Sequence, residues 1–176
     1  MASRRDSMMG VALLPLLAAG GVRAQAAKSG GAAIITMRGT PRGERVWFDP
    51  VGLWVDTGLA IRFRNEDAAN VHSATAFHPD LYGKSRRIPQ GMAAWDSGLL
   101  LPGEEFELVA QVPGVYDYYC LPHAAHGMVG RIVVGSPEDA GWKAEDYHRS
   151  TQAAGMPGVF PEVTAILAQR SHTSAQ

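Results

Sequence analysis

The segment YYCLPHAAHGMVG, Tyr118 to Gly130, holds the only cysteine of the 176-residue chain. His123 follows Cys120 by three positions and Met128 by eight. A thiolate and an imidazole at this offset can converge on one ion if the loop between them is tight. Pro122 stiffens that loop and removes a backbone donor, and Gly127 lets the chain turn sharply before Met128. The thioether is a weak ligand suited to a long axial contact. Two imidazoles, one thiolate and a distant methionine sulfur make up a blue-copper electron-transfer site. A second histidine must then come from elsewhere.

His72 is the candidate. It lies just beyond the run AIRFRN, where it shares a strand face with Ala74 and Ala76, whose small side chains leave room for a metal. His78 competes. It directly precedes Pro79, which pushes it into an extended or turn conformation. His126, inside the loop, reads as an exposed imidazole that could modulate the site near neutral pH. His148 and His172 read as surface residues.

Other chemistries fit less well. A catalytic Cys–His pair needs a third group to orient the base, and none stands at a useful spacing. Zinc would accept one cysteine and two histidines, but methionine is a poor fourth ligand. Met37 and Met92 form no copper-handling cluster. None of the six histidines stands two residues from another, so the His-x-His pairs of multicopper enzymes are missing. The chain therefore reads as a protein that is not an enzyme by itself.

The elements that must position these ligands are short apolar runs punctuated by Gly, Pro and Asp. Strands are expected at 32–37, 45–50, 52–55, 59–65, 72–77, 104–112, 114–120 and 128–135. Leu59, Ile61 and Phe63 alternate with Arg62 and Arg64. Phe106, Leu108, Ala110 and Val112 point inward, and Tyr116, Tyr118 and Cys120 share one face. This pattern predicts an all-β antiparallel sandwich or barrel. Segment 78–103 is longer than a hairpin loop, and its Lys84, Arg86 and Arg87 read as a solvated cluster or a dock for an acidic partner. Trp47, Trp54 and Trp95 read as core or core-edge packing. In SPEDAGW, Ser136 caps an expected helix with Pro137 at its first position. Val163, Ile166, Leu167 and Arg170 form one helical stripe laid against the sandwich, and the last six residues read as frayed.

The N-terminus reads as an export signal. Arg4 and Arg5 precede a short apolar run, and Val22 and Ala24 suit cleavage after Ala24. SRRDSMM is similar to a twin-arginine signal, with Ser7 in place of the usual phenylalanine. The run is too short to span a bilayer. The expected organisation is a signal at 1–24, a flexible lead-in at 25–31, a copper-binding domain at 32–135 and a helical tail at 136–176. The full chain has a formal net charge of −1, and losing Arg4, Arg5, Arg23 and Asp6 makes it slightly more acidic. This excludes a nucleic-acid binder of the basic kind. One cysteine excludes an internal disulfide.

YYCLPHAAHGMVGRIVV resembles the copper-binding signature of the plastocyanin/azurin cupredoxins. DTGLAIRFRNEDAANVHS is similar to that family's upstream block, where a strand leads to the first histidine ligand. The resemblance runs from about Ala33 to Gly135. It implies a Greek-key β-sandwich with one copper ion at one end, His72, Cys120 and His123 as equatorial ligands, and Met128 as the axial one. It also implies a one-electron carrier meeting redox partner proteins in transient complexes, here expected to be periplasmic or otherwise exported, monomeric, and without stable membrane insertion. A copper-delivery protein is the alternative. Ser73 departs from the pattern. The family usually has asparagine there, bracing the two ligand loops. A serine hydroxyl reaches less far, and its backbone N–H remains available to the Cys120 sulfur.

Overall fold

A computed structural model describes residues 31–147, 149–153, 155–169 and 171–172. The expected export signal, nearly all of the lead-in, His148 and Arg170 lie outside the described residues. The strands are β1 (Ala33–Gly39), β2 (Val46–Asp49), β3 (Gly52–Val55), β4 (Ala60–Asn65), β5 (Thr75–Ala76), β6 (Glu105–Val109), β7 (Gly114–Tyr119), β8 (Val129–Val134) and β9 (Ser171–His172). The helices are α1 (Ala144–Tyr147) and α2 (Val163–Gln169). No helix among the described residues is long and apolar enough to cross a membrane.

Two sheets form the sandwich, with strand orders β2-β1-β4-β6 and β5-β7-β8-β3-β9. Both are mixed. β1 pairs with β4 in parallel, and so does β3 with β8, where the sequence suggested antiparallel pairing throughout. The reason lies at Pro50 and Val51. They carry the chain from β2 in one sheet to β3 in the other, so β3 arrives beside β8 in the same direction.

Alternation along the strands fills the space between the sheets. Ile61 and Phe63 of β4 face Tyr116 and Tyr118 of β7, joined by Ile35, Met37, Phe48, Ile132 and Val134. Tyr118 packs edge-on against Phe48 and Phe63, with ring centroids 4.7 and 5.1 Å apart, a favoured aromatic geometry. Gly130 makes this possible, since a Cβ there would lie 2.3 Å from the Tyr118 ring. On the outer face of β4, Arg62 and Arg64 pair with Glu105 and Glu107 of β6.

β7 and β8 are buried on both faces, because the C-terminal segment covers the second one. Val163 and Ile166 of α2 pack on Val115 and Val133, with Trp54, Trp142 and Leu167 around them. Burying each such side chain stabilises the fold by about 1.5–3 kcal/mol. Phe160 and Ala153 close over Tyr119, Val129 and Phe77. Between these clusters Arg131 and Asp117 form a buried ion pair. Arg131 also donates to the carbonyls of Ser150 and Pro161 at 2.8 Å each.

Three expectations change. No helix begins at Pro137. The Ser136 and Asp139 side chains instead close a turn, with Ser136 N–H donating to Asp139 Oδ2 at 2.9 Å, and Gly141 at φ 102° ends it. Segment 171–172 is not frayed, because it pairs with β3. Arg87 is no solvated loop charge. It donates to Asp117 at 2.8 Å and to the Ser150 carbonyl at 2.6 Å, tying the long excursion to the C-terminal segment. That excursion is also partly core, since Ile88, Trp95 and Leu100 are buried.

Candidate metal centre

Cys120 follows the last residue of β7, and the chain turns back at once. Cys120 N–H donates to the Met128 carbonyl at 3.0 Å, and His123 N–H to the Cys120 carbonyl at 3.2 Å. A 3-10 turn, Ala124–His126, fills the loop and ends at Gly127 with φ 75°, a left-handed conformation that glycine adopts without strain. The outgoing strand β8 starts one residue after Met128. Residues 120–128 thus form a closed loop pinned at both ends, which is what convergence of Cys120 and His123 requires.

His72 reaches the same place from the other side of the sequence. Its backbone exchanges two hydrogen bonds with Leu100, at 3.1 and 2.7 Å. Its Nδ1 lies 3.6 Å from Cys120 Sγ, and His123 Nδ1 lies 3.4 Å from the same sulfur. The ligand atoms of His72, Cys120 and His123 all fall within 4.8 Å of one another. His72 and Cys120 are fully buried and His123 is half-buried. Met128, at the end of the same loop, is buried too. His78 is elsewhere. It is buried too, but its Nδ1 accepts the Asp80 N–H at 3.1 Å. His126 is exposed on the loop, its ring centroid 6.1 Å from that of His123, and it lines an open cleft of about 230 Å³ with Glu44, Arg45, Val46 and Trp47.

Ser73 braces the two ligand segments in two ways. Its N–H donates to Cys120 Sγ at 3.3 Å, and its hydroxyl accepts the Leu121 N–H at 2.8 Å. The shorter side chain suffices because Thr75 holds the hydroxyl from behind at 2.9 Å. Sequence reasoning passed over a second brace, Asp67. Its Oδ2 lies 3.0 Å from His72 Nε2. The signal was there in NEDAAN, since an aspartate followed by small residues and asparagine commonly folds onto its own backbone.

The electrostatics suit a soft cation. Burial pushes the Cys120 thiol up to about 11, against the pull of the Ser73 N–H. Burial lowers His72 despite Asp67, and burial together with His72 and His126 lowers His123, so both imidazoles are neutral donors near pH 7. For Asp67, burial alone would raise the carboxyl. Hydrogen bonds from Ala69, Asn70 and His72 outweigh it and hold the group below its usual range. One thiol and two neutral imidazoles on a common point form a donor set for copper or zinc, and a buried methionine at the end of the same loop favours copper.

Fold and site together define a copper-binding β-sandwich. A family model for copper binding proteins of the plastocyanin/azurin family matches residues 36–135. The chain belongs to that family, the cupredoxins, and its cofactor is one copper ion. Chloroplastic plastocyanin of Oryza sativa subsp. indica is 34% identical over 121 residues, covering 66% of this chain and 73% of the rice protein. Chloroplastic plastocyanin of Hordeum vulgare is 35% identical over 91 residues, covering 49% of this chain and 54% of the barley protein. Pseudoazurin from Hyphomicrobium denitrificans aligns structurally with a TM-score of 0.47 at 26% identity, over 61% of this chain and 77% of that one.

Proposed function

We propose that this cupredoxin is an exported one-electron carrier whose type 1 copper would be held by His72, Cys120, His123 and Met128. The observation that supports it most is the convergence of both histidine Nδ1 atoms on one buried sulfur, at 3.6 and 3.4 Å. When bound, copper supplies the Cu(I)/Cu(II) couple. The chain's part is to hold the ligands still. Ser73, Leu100 and the Cys120–Met128 hydrogen bond fix the two segments from outside. A site that cannot relax keeps the reorganisation accompanying each electron small.

The contact face follows from exposure. His123 is half-buried among Ala124, Ala125 and Gly127, small residues that let a redox partner approach closely in a transient complex. The other route, from Cys120 along the backbone to Tyr119, does not reach solvent, because Phe77 and Phe160 cover that ring. In this reading residues 1–24 are the export signal, 25–31 the lead-in, 32–135 the copper domain and 136–176 an extension that covers the outer face of β7 and β8. The protein acts as a monomeric carrier, not as an enzyme by itself.

The test is to add Cu(II) to purified mature protein and record optical and spin-resonance spectra. A carrier shows an intense thiolate-to-copper band near the red end of the visible range and cycles reversibly with its metal retained. A copper-delivery protein lacks that colour and gives up Cu(I) readily to chelators, and that result would overturn the proposal.

A further inference from the structure

His72 and His123 meet the same sulfur but have different surroundings. Behind His72 stands a buried carboxylate, whereas His123 has no carboxylate hydrogen-bonded to it among the described residues. Asp67 Oδ1 accepts the N–H of Ala69 at 2.9 Å and of Asn70 at 3.2 Å. Its Oδ2 accepts the Asn70 side-chain amide at 2.8 Å and faces His72 Nε2 at 3.0 Å. The first three partners are all N–H donors, so Asp67 accepts from each; an ionised carboxylate has no proton to offer His72, so the proton they share sits on Nε2. A neutral imidazole has only one such proton, which leaves the lone pair on Nδ1, the nitrogen that faces Cys120.

The loop that carries the carboxylate is fixed as well. Asn65 Oδ1 accepts the Asp67 N–H at 2.9 Å, and Asn65 Nδ2 ties the same loop to the carbonyls of Asn70 and Leu100 at 2.9 Å each. Gly39 leaves the space that Oδ2 occupies, since a Cβ there would lie 2.0 Å from it. A glycine of β1, an asparagine of β4 and the loop before His72 thus cooperate to fix one negative charge behind one ligand.

We propose that Asp67 is a positioning residue for the copper site: it fixes His72 with Nε2 protonated and Nδ1 free, and it favours the oxidised ion over the reduced one. The inference rests on the copper-site reading above. Its physical basis is that a carboxylate hydrogen-bonded to a ligating imidazole makes that imidazole a stronger donor, and a fixed negative charge attracts the more highly charged ion more. Asp67 therefore lowers the reduction potential of the site.

The experiment is Asp67→Asn in the full copper-loaded protein, measuring Cu(II) and Cu(I) affinities and the potential. Cu(II) affinity should fall about 10–100-fold, the usual effect of losing such a partner, with a smaller loss for Cu(I). Each tenfold difference between the two raises the potential by about 59 mV. Gly39→Ala keeps the charge and crowds Oδ2, so it should raise the potential by less. Equal losses for both oxidation states, leaving the potential unmoved, would make Asp67 a loop brace only and overturn the inference. If Asp67→Asn does not fold, nitrogen NMR of the wild-type Cu(I) protein decides. A slowly exchanging Nε2 proton on His72 supports the assignment, and a metal-bound Nε2 overturns it. A wild type without the blue band overturns the carrier reading and this inference together, while a blue wild type with an unmoved variant potential overturns the inference alone.

Discussion

Arg131 of β8 grips Asp117 of β7 with two hydrogen bonds, Nε to Oδ1 at 2.7 Å and Nη2 to Oδ2 at 3.1 Å, with both side chains sealed from solvent. Arg87 adds a third contact from the excursion. The carboxylate is thus the common partner of two guanidinium groups, which in turn hold the carbonyls of Ser150 and Pro161. Asp117→Ala should destabilise the protein by about 3–5 kcal/mol, the usual cost of leaving a buried charge without its counter-ion. Denaturant titration of the copper-free protein measures it, and a loss under 1 kcal/mol would show that the pair contributes nothing.

The C-terminal segment touches the ligand loop directly. A Cβ on Gly158 would lie 2.7 Å from the Gly127 carbonyl and 2.8 Å from the Val129 methyls. Gly158→Ala should therefore cost about 1–3 kcal/mol by overpacking. A wild-type thermal midpoint for this variant would mean the segment does not rest on the loop in solution.

Ser73 separates structure from colour. Ser73→Ala leaves the half-buried Leu121 N–H without its acceptor, for a loss of about 1 kcal/mol. The backbone N–H to Cys120 Sγ survives the change, so the red-end absorption should persist. Calorimetry and a visible spectrum on the same sample read both, and a bleached variant would show that the hydroxyl matters to the metal itself.

Ligand identity is checked by three substitutions. Cys120→Ala and His72→Ala should abolish the thiolate-to-copper band, while His78→Ala should leave it in place. A colourless His78→Ala variant that still folds by circular dichroism would contradict the assignment of His72.

The metal-free protein should weaken at alkaline pH. Burial pushes Cys120 up to about 11, raises Tyr116 and Tyr118, and takes Tyr119 up to about 12. The folded state prefers the protonated forms, so the unfolded chain loses its protons first. Stability is then complete below about pH 9 and is lost as pH rises through 11 and beyond. For Cys120 the gap from its ordinary 9.0 corresponds to on the order of 2–3 kcal/mol. Denaturation midpoints at pH 7 and 10.5 measure the effect, and copper-free Cys120→Ala should show a smaller drop. Equal drops would remove the thiol from the account.

Much of this was legible in residue order. Alternation in LAIRFRN and GVYDYYC set which side chains face the core, and Cys120, His123 and Gly127 announced a tight loop. What escaped was non-local. Whether Arg87 meets solvent or Asp117 depends on a strand thirty positions away. Ser136, Pro137 and the acids after them satisfy the local rules for a helix start, but Gly141 and the pull of Trp142 onto Val115 and Val133 win. Asp67 gave its local turn away but not its reach to His72, because that contact needs Gly39 of another strand to stand clear.

The covering of Tyr119 by Phe160 bears on how traffic would pass through such a carrier. With that ring covered, the half-exposed edge at His123 would serve as the shared doorway. On the proposed carrier reading, an incoming donor and an outgoing acceptor would compete for it and dock in turn. Each delivered electron then requires one visitor to leave before the next arrives, and an excess of either visitor slows the exchange by occupying the threshold.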